Sequence, residues 1–382
     1  MNIAFFTESY KPYISGVTVS IETLAKELRN LGHRVYIFAP HYKGHADSDR
    51  DIFRFPSSPT FYPGFRLAIP FSRKIMRELP RLGIDLIHSH SPFQLGILGR
   101  RMSRKLKVPF VYTFHTLFDQ YIHYVPILPR ALAKRLVSAH LRRFCNLSNC
   151  VIVPSKPVQN FLLAEEIKTK IEVIPTGVDF ELAKRFTGEE VRKKHGIPAE
   201  AMILIYVGRL TAEKNLPFLF ESFKLIHKRV PNAHLMLVAR GPKERSLKLL
   251  AKRLGVSESV TFVGQVKYPH VFDYYAASDI FVFSSKTETQ GLVIAEAAAS
   301  GLPVVAVDAA GVSEAIIDGE HGYLVPHDVE EFARKVEHLI KNEETRKRMS
   351  EDAFSHAKKR FSVQVYAKKI EKIYRDLLPK ER

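Results

Sequence analysis

Cysteine is scarce in this 382-residue chain: Cys145 and Cys150 are the only two, and they stand in no CxxC or zinc-type spacing. That argues against a disulfide framework and a thiolate-bound structural metal, and it fits a reducing, cytoplasmic setting. Long apolar runs are missing as well. The most apolar stretch, Leu292 to Ala310, is interrupted by Glu296, Gly301, Pro303 and Asp308, so no membrane-spanning helix is expected. Met1 to Glu8 carries no basic leader and only a short apolar run, which reads as a first strand rather than a signal peptide. Neither of the two commonest phosphate-binding signatures occurs: there is no G-x-x-x-x-G-K-S/T, and no strand is followed by G-x-G-x-x-G.

What is present is a long alternation of short β-branched or aromatic runs with amphipathic stretches, the pattern of parallel sheets covered by helices. Strands are expected near 2–6, 34–39, 85–90, 109–114, 150–154 and 171–174, and a second series near 202–207, 234–239, 260–263, 279–283, 303–307 and 322–325. The length exceeds the ~250 to 300 residues at which one core stops growing. The fold class is therefore α/β, with two doubly wound, Rossmann-like domains facing across a cleft. Residues 1–178 form the first, 179–360 the second, and 361–382 a last helix packing back on the first. The linker falls at Pro175-Thr-Gly-Val-Asp179, where Pro and Gly punctuate a strand end. Ligands of such sheets sit outside the carboxyl ends of the strands.

The strongest chemical signal is Ser285-Lys-Thr-Glu-Thr-Gln-Gly-Leu-Val-Ile-Ala-Glu-Ala-Ala-Ala-Ser300, after the apolar strand Ile280 to Phe283. Gly291 opens a helix that is apolar all round except for Glu296, so the helix is buried. A buried carboxylate needs either a basic neighbour or a ligand with hydroxyls to donate. Glu288 lies just ahead, and the amides of Gly291, Leu292 and Val293 offer an anion site between the two acids. A second signal, Gly208-Arg-Leu-Thr-Ala-Glu-Lys-Asn215, brackets a turn with Arg209 and Lys214, a forked guanidinium and a point charge suited to diphosphate oxygens.

Together these motifs resemble the retaining glycosyltransferases of family 4, which have the GT-B fold. Their Glu-(x)7-Glu pattern is met by Glu288 and Glu296, and Gly-Arg-(x)4-Lys-Asn by Gly208 to Asn215. The resemblance implies that Glu288 contacts donor-sugar hydroxyls, Glu296 the ribose hydroxyls, and Arg209 and Lys214 the diphosphate. It also implies that His115, at the end of the strand Phe110 to Phe114, holds a sugar hydroxyl, and that Gly16 lies against the diphosphate. The donor is expected to be a nucleoside diphosphate sugar, with UDP-glucose favoured, and no cofactor or metal is expected. Two positions depart from the family pattern. Arg240 stands in Ala239-Arg-Gly-Pro242 where Gly-Asp-Gly-Pro is frequent, and Ser15 stands where a second Gly is usual.

Other candidates read as something other than metal ligands: His88 and His90 as structural or acceptor-side residues, and the Asp47 to Asp51 stretch as a loop. His88 and His90 lack a carboxylate or thiol to complete a metal site, and Asp47, Asp49 and Asp51 sit in a polar stretch read as a solvated loop.

The formal charge is +18, and residues 66–143 alone hold 15 basic against 3 acidic residues. Arg73, Lys74, Arg77 and Arg81 accompany an expected helical stripe of Phe71, Ile75, Leu79 and Leu82. Arg100, Arg101 and Arg104 follow on the next helix, and Lys134 and Arg135 on another. Such clustering suits an anionic membrane surface, and no nucleic-acid module appears. The stretch His115-Thr-Leu-Phe-Asp-Gln-Tyr-Ile-His-Tyr-Val-Pro126, with Phe118, Tyr121 and Tyr124, looks like that of bacterial diacylglycerol glucosyltransferases. The reading is a retaining, metal-independent hexosyltransferase acting on diacylglycerol or a related lipid, attached peripherally to the inner face of the cell membrane. The alternatives are the same chemistry on a soluble glycan or small sugar, and a non-catalytic sugar-nucleotide binder.

Overall fold

The computed structural model describes residues 1–60, 65–115 and 129–379. They divide into two compact units: Met1–Gly177 together with the chain from Val363 onward, and Val178–Ser362.

The first unit contains β1 (Asn2–Phe6), β2 (Arg34–Pro40), β3 (Ile52–Phe55), β4 (Ser57–Pro59), β5 (Arg66–Ala68), β6 (Leu86–Ser89), β7 (Phe110–Thr113), β8 (Cys150–Val153) and β9 (Ile171–Val173). Seven of these make a parallel sheet in the order β3-β2-β1-β6-β7-β8-β9, and β4 and β5 pair antiparallel beside it. A sheet covered on both faces needs apolar side chains at successive positions, which is why β1 reads Ile-Ala-Phe-Phe. Ala4 and Phe6 enter the core on one face, where Phe6 stacks on Phe38 at 4.6 Å. Ile3 and Phe5 enter the core on the other. That second core is closed by two helices. Gly16–Asn30 supplies Ile21, Leu24 and Leu28, and Val363–Leu377 supplies Tyr366, Ile370 and Tyr374.

The second unit contains β10 (Met202–Arg209), β11 (Ala233–Arg240), β12 (Val260–Phe262), β13 (Ile280–Phe283), β14 (Val304–Val307) and β15 (Gly322–Val325), around one contiguous core. All are parallel, in the order β12-β11-β10-β13-β14-β15. The strand order reverses between β1 and β6 in the first unit, and between β10 and β13 in the second. Each reversal opens a crevice at the carboxyl ends of the strands, the place where such sheets bind ligands.

Several expectations need correction. The helix expected over Phe71 to Leu82 is Arg73–Glu78 alone, capped by Ser72, and the chain then tightens into a 3-10 turn at Leu79–Leu82 around Pro80. Proline has no N–H to donate and its ring crowds the preceding turn, so the arginine stripe does not continue along one helix. Ile75 and Leu79 are buried, but Phe71 is 61% exposed rather than packed with them. Arg73, Lys74, Arg77, Arg81, Arg101, Arg104, Lys134 and Arg135 are exposed, whereas Arg100 is half-buried with its guanidinium 5.8 Å from the Phe110 ring centroid. Phe118, Tyr121 and Tyr124 lie outside the described residues. The acidic loop is ion-paired rather than merely solvated: Asp47 takes Arg54, Asp49 takes Arg29 and Asp51 takes Arg34. Among the described residues no helix is long and apolar enough to cross a membrane.

Gly177 marks where the first unit's main segment meets its last helix. A Cβ there would stand 2.6 Å from the Val363 Cα and 2.9 Å from the Tyr366 Cβ. Gly177→Ala should therefore destabilise by about 1–3 kcal/mol, the usual cost of overpacking. Thermal unfolding followed by circular dichroism should show a melting temperature lower by several degrees; an unchanged value would refute the close packing.

Candidate active site

At the reversal of the second sheet, the loop after β10 and the loop after β13 are stitched together. The Ser284 hydroxyl donates to the Lys214 carbonyl at 2.9 Å, and the Asn215 amide donates to the Ser284 carbonyl at 3.3 Å. The Lys214 ammonium meets the Glu288 carboxylate at 2.5 Å, with both side chains largely buried. Asn215 adopts a left-handed backbone (φ 52°) to start the helix Leu216–Arg229, which Pro217 then enters with a φ already set for a first turn. Arg209 sits at the end of β10 with its guanidinium 3.5 Å from Glu213, which also accepts from the Thr211 hydroxyl at 2.7 Å. Both cations expected to bind phosphate are thus held by acids.

Gly291 has φ 70° and caps the helix Leu292–Ala299, whose first amides have no acceptor inside the helix. Glu296 is buried on the next turn, and the Tyr275 hydroxyl donates to its Oε2 at 3.0 Å. No cation pairs with Glu296 among the described residues. Burial pushes its pKa up to about 7, a shift the Tyr275 hydrogen bond partly offsets. Gly311 supports this loop from below, because a Cβ there would stand 2.2 Å from the Glu288 carbonyl oxygen. The structure therefore gathers Arg209, Lys214, Glu288, Gly291, Leu292, Val293 and Glu296 at one sheet edge. Tyr275 and Gly311 were not singled out from sequence, and Val271–Ala276, which reads Val-Phe-Asp-Tyr-Tyr-Ala, does not set Tyr275 apart from Tyr274.

In the first unit, Gly16 starts the helix Gly16–Asn30 at the carboxyl edge, where Ser15 is the N-cap and accepts from the Thr18 amide at 3.2 Å. Ser15 is extended, so no glycine is needed there. A Cβ on Gly16 would meet nothing within 4 Å, so no packing within the described chain requires glycine at that position. Glu8, buried after β1, accepts from the Leu95 amide at 2.7 Å and so caps the helix Gln94–Leu106 from across the reversal.

The histidines form a stack. His88 and His90 rings lie 4.2 Å apart, and His90 and His115 rings 5.3 Å apart. His88 is fixed at both nitrogens, by the Tyr374 hydroxyl at 2.6 Å and the Thr113 hydroxyl at 2.7 Å. His90 Nδ1 and His115 Nε2 are 3.1 Å apart and share a hydrogen bond. Burial drives all three below the usual histidine range, His115 to about 4, so the stack is neutral at pH 7. The His90 Nε2 is buried without a partner among the described residues. His90 is tied to His115 by a hydrogen bond and a ring contact.

Comparison with known proteins fits this arrangement. Residues 14–182 match the family described as Glycosyltransferase Family 4, and residues 188–356 that described as Glycosyl transferases group 1. The alpha-monoglucosyldiacylglycerol synthase of Acholeplasma laidlawii is 32% identical over 395 residues, covering 100% of this chain and 98% of its own. That of Streptococcus pneumoniae is 32% identical over 390 residues, covering 99% and 86%. Among solved structures, Anabaena HepE in complex with UDP and glucose superposes with a TM-score of 0.77 at 23% identity, over 99% of this chain and 100% of that one. The chain belongs to the family 4 glycosyltransferases and has their GT-B fold of two Rossmann-like domains. It is a glycosyltransferase.

Replacing Tyr275 by Phe removes the one hydrogen bond that the Glu296 side chain makes among the described residues. The Glu296 titration, followed by NMR of 13C-labelled glutamate carboxyls, should move upward from about 7. An unmoved or lowered midpoint would show that Tyr275 does not hold the carboxylate.

Proposed function

We propose that the protein transfers a hexose, glucose, from a nucleoside diphosphate sugar, UDP-glucose, to diacylglycerol at the inner face of the cell membrane, with retention and without a metal. The observation that carries the transfer reading is the largely buried Lys214–Glu288 pair beside Arg209 and the Gly291–Val293 amides. When the bond from the anomeric carbon to the β-phosphate oxygen breaks, negative charge grows on the diphosphate. Arg209, Lys214 and the helix amides are the groups that would meet it, and electrostatic stabilisation of this kind is usually the largest catalytic term. Glu288 is assigned sugar hydroxyls, Glu296 the ribose, and neutral His115 a further sugar hydroxyl. No carboxylate is assigned as nucleophile or base, so the acceptor hydroxyl attacks on the face the diphosphate leaves and gives its proton to the departing phosphate oxygen.

The lipid acceptor is supported by the full-length similarity to two glucosyldiacylglycerol synthases and by the surface of the first unit. Phe71 (61% exposed), Leu132 (46%) and Leu136 (53%) stand among the exposed cations Arg73, Lys74, Arg77, Lys134 and Arg135. Each such cation is worth ~1 kcal/mol at an anionic leaflet, so three or four raise surface binding a few hundredfold. Exposed apolar side chains beside them could enter the lipid interface.

UDP release from UDP-glucose should require liposomes containing diacylglycerol and an anionic lipid, and should yield an α-glucosyldiacylglycerol. Release with soluble glycans alone would remove the membrane part of the proposal. The pH dependence tests the donor site separately. Glu296 is protonated below about 7, and the neutral acid accepts hydroxyl hydrogen bonds more weakly than its anion does, so donor KM should rise as pH falls through 7. Glu296→Gln should raise KM about 10- to 100-fold, the loss of charged hydrogen bonds, and should flatten that pH dependence. A wild-type pH profile retained in the variant would exclude Glu296 as its source.

A further inference from the structure

We propose that Arg240 is a second guanidinium of the diphosphate site, placed beside Arg209 by strand register; this rests on the donor reading above. β10 and β11 pair in parallel through eight residue pairs, the last being Arg209 with Arg240. Register partners on neighbouring parallel strands are about 4.8 Å apart and project to the same face. The two arginines therefore leave the carboxyl edge of the sheet side by side.

The backbone holds them there. The Leu210 amide donates to the Arg240 carbonyl at 3.2 Å, and the Lys243 amide donates to the Leu210 carbonyl at 3.0 Å. Gly241 lets these two segments touch, since a Cβ there would stand 2.5 Å from the Leu210 carbonyl oxygen. Arg240 is thus anchored by the same contacts that shape the Arg209 loop.

Two like charges in adjacent register repel, and the nearby acids are committed elsewhere. Glu213 takes Arg209, and Glu244 takes Lys248 at 2.7 Å. Arg240 is exposed and has no ion-pair partner among the described residues. The exposed Lys243 and the start of the helix Glu244–Leu254 add positive potential at the same edge. Lys214, Arg209 and Arg240 differ in consequence. The first two must exchange a carboxylate for a phosphate, whereas Arg240 gains its first anion when a diphosphate arrives. Its fork can take two phosphate oxygens. The chain is expected to discriminate strongly between diphosphate and monophosphate, with Arg240 supplying much of the difference.

The test is calorimetric titration of the full chain with UDP, UMP and uridine, with GDP and ADP run in parallel to allow for the base. Arg240→Ala should weaken UDP about tenfold or more, UMP less, and uridine not at all, and Arg240→Lys should fall between. Arg209→Ala serves as the comparison. UDP affinity unchanged in Arg240→Ala while Arg209→Ala loses it would overturn this assignment and leave the donor reading intact. Equal weakening of UDP, UMP and uridine would also overturn it. If the wild-type chain binds none of the three diphosphates, both readings fail.

Discussion

The ion pair of Lys214 and Glu288 joins the two loops that leave the second sheet at its reversal, and the order of that edge depends on it. Both side chains are largely buried, and each is the other's compensation. Breaking such a pair by removing one member leaves an uncompensated charge, at a cost of about 3–5 kcal/mol. The neighbouring hydrogen bonds between Ser284, Lys214 and Asn215 fix the same two loops through their backbones. Lys214 is in this way held in one place by its side chain and by its backbone.

The two buried acids differ in what holds them. Glu288 faces the Lys214 ammonium, while Glu296 lies in an apolar helix with one phenol hydroxyl and is held near the point of losing its charge. A carboxylate kept this poorly solvated gains more than an exposed one from hydroxyls that reach it. The same reasoning covers the histidine stack, where burial removes charge and leaves neutral donors and acceptors whose directions are set by their neighbours. Position in the fold, rather than residue type, gives each group its chemistry.

Most strands were legible because parallel strands buried on both faces write themselves as uninterrupted apolar runs, as in Ile280-Phe-Val-Phe283. β3 to β5 were not, since Ser57–Pro59 and Arg66–Ala68 are short, half-exposed and without periodicity. The motif residues of the second unit were legible because a lone acid in an apolar helix is anomalous on its face. Their supports were not. Tyr275 reaches Glu296 across 21 residues, and Gly311 presses on Glu288 from another loop, relations that exist only once the sheet has formed. Phe71 misled for the opposite reason: its spacing fitted a helical stripe, but the helix starts two residues later and leaves it outside.

The last helix shows how far such dependence runs. Val363–Leu377 contributes Tyr366, Ile370 and Tyr374 to the core beneath the first sheet, so it completes that core as well as covering it. Tyr374 then reaches His88, which stacks on His90, which hydrogen-bonds His115. The Tyr374 and His88 partners are 286 residues apart in sequence. The stack is therefore fully oriented only when the end of the chain has docked on its beginning, with the whole second unit inserted between those two segments. A glycine at 177 and a tyrosine at 374 are, by this route, as much a part of the His115 environment as the strand that carries it.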